Sequence, residues 1–174
     1  MTNQEKVNRL KELCAEQAVY GRCLGKLNFD MLCCAPKEGM EQAAEDMAVL
    51  GKAYYALTHA PEYERLLCEL AADNEGLSDL EKKLVEQRFE SFEKVKNITP
   101  EFSYEMDLAF NRAYAKWLTA KKEKDFSLYR DSFADVIDYT KKVIDLRDKK
   151  PEGYYNACLD DYEKGGSEEQ LDAF

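Results

Sequence analysis

Apolar residues in this chain return every three or four positions and almost never every second one. The cleanest stretch runs Met40, Ala43, Met47, Leu50, Tyr54, Leu57. An α-helix turns once in about 3.6 residues, so this spacing sets all six side chains on one face. A half-buried strand needs strict alternation, and no segment alternates over a strand's length without fitting the helical period better. Asn-Gly and Asp-Gly hairpin turns do not occur. Eight Gly and four Pro in 174 residues are too few for an all-β chain with many tight turns. The expected fold class is therefore all-α.

Start and stop signals divide the periodicity into about seven helices. Thr2 and Glu5 form a capping box ahead of Val7, Leu10, Cys14, Leu24 and Leu27. The pattern breaks across Asp30 to Gly39, where Pro36 interrupts it. The Met40 helix ends near Thr58 and His59, and Pro61 suits the first turn of a helix carrying Tyr63, Leu66, Leu67 and Leu70. Asn74 to Gly76 is a stop. Ser78 with Glu81 makes a second capping box, before Leu80, Leu84, Val85, Phe89, Phe92 and Val95. Thr99-Pro100-Glu101 starts a helix with the aromatic face Phe102, Phe110 and Trp117. Asp125 is placed to cap the next one, bearing Leu128, Phe133, Val136, Ile137 and Ile144. After Pro151 and Gly153, a short helix spans about Tyr155 to Leu159, and Ser167-x-x-Gln170 opens a last one. No fixed-period repeat and no Ser- or Gly-rich linker divides the chain. It reads as one helical unit over 1–174, packed as antiparallel hairpins. The final helix stops at Phe174 after barely two turns, so the unit reads as truncated at its C-terminus.

Composition narrows function. Acidic residues outnumber basic ones by 35 to 25, for a net charge of −10. That field repels a phosphate backbone, and no basic stripe counters it, so no nucleic-acid partner is expected. No apolar run approaches a membrane span, and no export signal follows Met1. The six cysteines, at 14, 23, 33, 34, 68 and 158, therefore read as reduced thiols. Several have helical core spacing. Cys33 and Cys34 are the sole local cluster, which could hold a soft metal ion or sense redox state, or be two small apolar residues in a connection.

Chemistry-bearing motifs are scarce. One histidine, His59, excludes an H-E-x-x-H zinc site, which needs two imidazoles a turn apart. Ala56 precedes it by three, which also excludes a Glu-x-x-His di-iron motif. At a helix junction beside Pro61, His59 reads as a helix-terminal residue. There is no P-loop. Gly21 and Gly25 form G-x-x-x-G, read as a close helix contact. The acidic run Asp160-Asp161-Tyr162-Glu163 lacks a calcium loop's alternating ligands and reads as a solvated face. Eleven Tyr and eight Phe mostly have core spacing. Tyr54, Tyr55, Tyr154, Tyr155 and Tyr162 flank chain breaks and could line a groove or an interface. No catalytic, cofactor-binding or metal-binding residue is assigned.

The block Tyr155-Asn156-Ala157-Cys158-Leu159-Asp160-Asp161-Tyr162-Glu163-Lys164-Gly165, continuing to Leu171 and Phe174, resembles the Tyr-x-Ala-Leu-Leu-Asp-x-Tyr-Glu-Pro-Gly stretch of the thermostable, Taq-type zinc carboxypeptidases. Leu27-Asn28-Phe29-Asp30 through Pro36 resembles that family's Leu-x-Trp-Asp turn. Trp117, Lys121, Asp125 and Phe126 resemble its Trp-x-x-Ala-Arg…Asp-Phe stretch, and Ile98-Thr99-Pro100-Glu101 its helix start. Phe29, Cys33, Ala35 and Lys164 depart from the usual Trp, Thr, Met and Pro, as in a divergent member. The resemblance implies the N-terminal helical part of a cytoplasmic zinc metallopeptidase, a possible homodimer, that removes C-terminal residues from peptides. This part covers one side of the substrate groove. The zinc ligands lie beyond the matched region, so the segment itself should be non-catalytic and in need of its catalytic half. The alternative is a freestanding helical protein-interaction module without catalysis.

Overall fold

The computed structural model describes residues 1–36 and 39–173, with the side chains of 40, 41 and 44 outside the description. Met40 as a member of its helix face, and Phe174, thus lie outside the described residues. Eight α-helices, and no strand, occur among the described residues. They are α1 Asn3–Cys33, α2 Met40–Thr58, α3 Pro61–Ala72, α4 Asp79–Val95, α5 Pro100–Glu123, α6 Ser127–Asp145, α7 Tyr154–Tyr162 and α8 Glu168–Asp172. The eighth is the five-residue helix behind Ser167, whose side chain and that of Gln170 close a capping box. By Cα packing the chain groups into two compact units, Met1–Phe92 and Glu93–Phe174.

The first unit is built on α1, α3 and α4. Val7, Leu10, Leu13 and Cys14 of α1 pack with Tyr63, Leu66, Leu67 and Leu70 of α3, with Leu77, and with Val85 and Phe92 of α4. Leu10, Leu66, Leu67 and Leu70 are fully inaccessible, and burial of such a side chain is worth about 1.5–3 kcal/mol. Tyr63 meets Phe92 edge-on at 6.2 Å between centroids. The caps are local. Thr2 Oγ1 accepts from the Glu5 amide while Glu5 accepts from the Thr2 amide, and Ser78 and Glu81 repeat the arrangement. Polar links then tie the helices together. Arg9 donates twice to Glu62 of α3, at 2.9 and 3.0 Å. Lys11 and Gln4 of α1 donate to Glu81 of α4 at 2.7 and 3.0 Å.

Two expectations change here. Helix α1 runs on to Cys33, through the first residues of the expected break. Helix α2, the most regular pattern in the sequence, has no fully buried side chain among its described residues: Met47, Leu50 and Leu57 are only half-buried. It pairs with α1 as a hairpin. Gln17 donates to the Leu57 carbonyl at 3.3 Å, two points similarly far from the connection, as antiparallel pairing requires. One exposed flank is enough to leave an amphipathic helix half-covered.

The second unit centres on the α5–α6 hairpin. Thr99 caps α5 by accepting from the Phe102 amide. Lys124, in the left-handed region at φ 55°, ends it, and Asp125 then accepts from the Ser127 amide at 2.8 Å to start α6. Phe102, near the start of α5, meets Tyr139 in the second half of α6 at 5.7 Å, which fits antiparallel packing. Ile98, Ala113, Ala120, Ser132, Ile144 and Ala157 are buried. Gly153, at φ 83°, turns the chain into α7, a conformation that a residue with a Cβ adopts only under strain.

Candidate functional site

Three places carry the chemistry that the sequence singles out: the end of α1, the end of α2 and α7. Each is local to one unit.

On α1, the side chains at 22, 25, 26, 29, 30 and 34 succeed one another at helical spacing and line an open concavity of about 590 Å³. Gly25 supplies the hollow. Among the described residues, and apart from the helix's own backbone, no atom lies within 4 Å of where a Cβ on Gly21 or Gly25 would sit, so the G-x-x-x-G pair makes no close helix contact with them, unlike its sequence reading. Arg22 and Lys26 give the rim positive charge, Asp30 negative charge, and Phe29 is 62% exposed. The concavity holds no nucleophile–base pair, because the nearest thiol, Cys34, has no partner imidazole on this helix.

Cys33 and Cys34 are both exposed at the helix end. The backbone amides of Cys34 and Ala35 donate to the Asp30 carbonyl at 2.8 Å, fixing the turn. All six cysteines are free thiols, and Cys14 alone is buried, so core spacing holds for one thiol where several were expected.

His59 closes α2. Its amide donates to the Tyr55 carbonyl, and Nδ1 lies 3.0 Å from the same carbonyl and 3.1 Å from Thr58 Oγ1. The carbonyl can only accept, so this contact assigns the Nδ1–H tautomer. The ring stacks on Tyr55 at 3.9 Å with 12° between planes. The imidazole thus serves the helix end, as its position in the sequence suggests.

Helix α7 and its cap carry the acidic run, in which Asp161, Tyr162 and Glu163 are exposed as a solvated face should be, but Asp161 is also ion-paired. Arg147 donates to both oxygens of Asp161, at 3.0 and 2.7 Å, and Lys94 adds a third bond at 2.8 Å. The Arg147 side chain is only 9% exposed. Burial raises the Asp161 pKa, but the bonds from Arg147 and Lys94 outweigh it and hold the carboxyl below its usual range. Asp160 accepts from the Gly165 amide at 3.0 Å, and Asn156 accepts from the Glu168 amide at 2.8 Å, which ties α7 to the start of α8. Arg147 was not legible beforehand. It lies fourteen residues from its partner, and no local spacing rule links positions so far apart. Tyr162 is 93% exposed and Tyr155 55%, so these rings are free to meet other groups.

A metal ion of the zinc type needs three or more convergent nitrogen, sulfur or carboxylate ligands. No group of three His, Cys, Asp or Glu among the described residues has that arrangement. The single imidazole is committed to α2, and Asp161 to Arg147. The described residues form no site that fits a catalytic metal. No described helix is long and apolar enough to cross a membrane.

Comparison with known proteins agrees with the order of these elements. Carboxypeptidase 1 of Bacillus subtilis (strain 168) is 29% identical over 154 residues, covering 88% of this chain and 30% of the relative. A solved carboxypeptidase of Pyrococcus furiosus superposes with a TM-score of 0.83 at 23% identity, over 97% of this chain and 33% of that one. Metallocarboxypeptidase 1 of Trypanosoma cruzi gives 0.83 at 20% identity, over 97% and 34%. At those identities the two structures establish the fold. This chain spans about a third of the length of the proteins it resembles. The family model for carboxypeptidase Taq (M32) metallopeptidases matches residues 9–174, from the first helix to the last residue, and the chain belongs to that family.

Proposed function

We propose that this chain is the N-terminal, groove-forming helical segment of a zinc-dependent carboxypeptidase that releases C-terminal residues from peptides, and that it takes no direct part in bond cleavage. The observation that carries the reading is the family match over residues 9–174 in a chain only a third as long as its relatives. The two helical units then belong to one larger enzyme. The open face of α1, with Arg22 and Lys26 beside Phe29, supports a role as groove wall. A peptide backbone presents carbonyls and a terminal carboxylate, both of which accept from cationic donors. The ion that polarises the scissile carbonyl is supplied by residues outside this segment. Four exposed free thiols fit a reducing, cytoplasmic setting.

Peptide hydrolysis tests the proposal. The chain alone, with added zinc or cobalt, should release no C-terminal residue from an N-blocked peptide. Joined to the remaining part of a family member, covalently or in trans, it should support release that a chelator abolishes. Chelator-sensitive release by the isolated chain would sink the reading, and a joined chain without activity would favour the freestanding interaction module.

A further inference from the structure

The end of α1 carries the sole adjacent pair of thiols in the sequence, Cys33 and Cys34, and a role as groove wall makes no use of their sulfur. Cys33 is the last residue of the helix, and Cys34, at φ −128° and ψ −38°, has left it. The amides of Cys34 and Ala35 both donate to the Asp30 carbonyl at 2.8 Å, so the chain changes course within the pair at a turn held by two bonds. Both thiols are free and exposed, whereas Cys14 is buried and Cys158 half-covered. Neither joins the buried core. Apolar packing therefore gives no reason for two sulfur atoms at this point.

The number and softness of the donors select what such a pair takes. Zinc fills a tetrahedron, and among the described residues no group of three His, Cys, Asp or Glu is placed to hold a metal ion. Hard ions such as magnesium and calcium prefer oxygen, while thiolates favour soft ions such as Cu(I). A monovalent copper ion, with its filled d shell, is satisfied by two thiolates alone. Binding replaces both S–H bonds with S–Cu bonds, releases the two thiol protons and leaves a singly negative bis-thiolate complex, with no change in oxidation state. The concavity that Cys34 lines also carries Arg22, Lys26 and Asp30. Together these three side chains leave one net positive charge, opposite in sign to the complex, with Asp30 the single opposing group among them. We propose that Cys33 and Cys34 form a two-coordinate thiolate site for a soft monovalent metal ion of the copper(I) class, a binding activity separate from peptide hydrolysis.

The test titrates the whole 174-residue chain, reduced and kept free of oxygen, with the coloured Cu(I) complex of bicinchoninate. The expected result is one Cu(I) withdrawn per chain, with no change of oligomeric state by light scattering. Loss of even an outer-shell partner typically costs about 10–100-fold in metal affinity, so Cys33→Ser and Cys34→Ser should each weaken retention by about tenfold or more. Cys23→Ser and Cys68→Ser, at the other two exposed thiols, should leave it unchanged. X-ray absorption at the copper edge on the parent chain should find two sulfur neighbours and no nitrogen or oxygen, a readout that stands whether or not a variant folds. Failure of the parent to withdraw Cu(I) overturns the proposal, as does retention that survives both Cys33→Ser and Cys34→Ser. A third sulfur neighbour, or one ion shared by two chains with a dimer by light scattering, overturns the two-coordinate site within one chain. Release of the bound Cu(I) by equimolar zinc overturns the selection by donor number.

Discussion

Glu81 accepts hydrogen bonds from Gln4, Lys11 and Ser78. Hydrogen bonds from Lys11, then Ser78, then Gln4 hold its pKa well below the usual carboxylate range. A depressed folded pKa contributes stability above the unfolded value, near 4.3 for Glu. That contribution fades as pH falls from there toward the folded value. Glu81→Gln should therefore unfold at lower urea than the parent at pH 7. The gap between the two should close progressively below about pH 4.3, as urea titrations at several pH values will read. A gap unchanged down to pH 2.5 would show that charge is not what Glu81 contributes. The thiols offer a second reading at this scale. Burial pushes the Cys14 thiol up, which suppresses the thiolate that reacts. Titration with a disulfide reagent at pH 8 should give a fast phase for the exposed Cys23, Cys33, Cys34 and Cys68, with Cys14 reacting at least tenfold more slowly.

At the scale of elements, capped starts were legible, as were the core faces of α1, α3 and α4, whereas the end of α1 and the partial burial of α2 were not. Capping is a matter of three or four neighbouring residues, so Thr2–Glu5, Ser78–Glu81, Thr99 and Ser167–Gln170 could be read directly and all form the bonds their spacing implies. Which side of a helix is buried depends on residues far away in the chain. Helix α2 has the best periodicity yet stays half-covered, while α3, with a shorter pattern, lies in the centre of the core. The three places of the candidate site divide in the same way. His59 at its helix end follows from Pro61 beside it, but the Arg147–Asp161 pair and the open face around Gly25 depend on what packs nearby, which spacing alone does not encode. The energetic consequence is a reversed ranking. Leu66→Ala removes a fully buried side chain and should cost about 2–5 kcal/mol, whereas Met47→Asp, on a half-buried face, should cost only about 1–2 kcal/mol. Asp161→Ala leaves Arg147 buried without its counter-charge and should cost about 3 kcal/mol. Chemical denaturation of the three variants checks the order; Met47→Asp as the worst of them would mean that α2 carries the core.

Across the whole molecule, metal chemistry and scaffold separate. A peptidase of this family depends on an ion, yet the only imidazole in the chain closes a helix, its Nδ1 held by the Tyr55 carbonyl. Structural zinc binds through several deprotonated ligands brought together by folding, and its affinity follows from that convergence. Here the thiols are dispersed: Cys14 lies in a core, Cys23, Cys33, Cys34 and Cys68 face outward, and Cys158 is half-covered. Only Cys33 and Cys34 are neighbours, and two thiolates leave half of a tetrahedral site to water. After incubation with zinc and a mild chelator wash, elemental analysis should therefore find less than about one zinc per several chains. A full equivalent that survives the wash would overturn this expectation. If alkylation of Cys33 and Cys34 then removed it, the end of α1 would be a zinc site rather than groove wall. If alkylation left it in place, the ligands would have to come from carboxylates or from His59, and the ring stacked on Tyr55 would have to leave its helix end to reach them. Circular dichroism on zinc addition reads that last possibility, because loss of a helix cap frays the final turn.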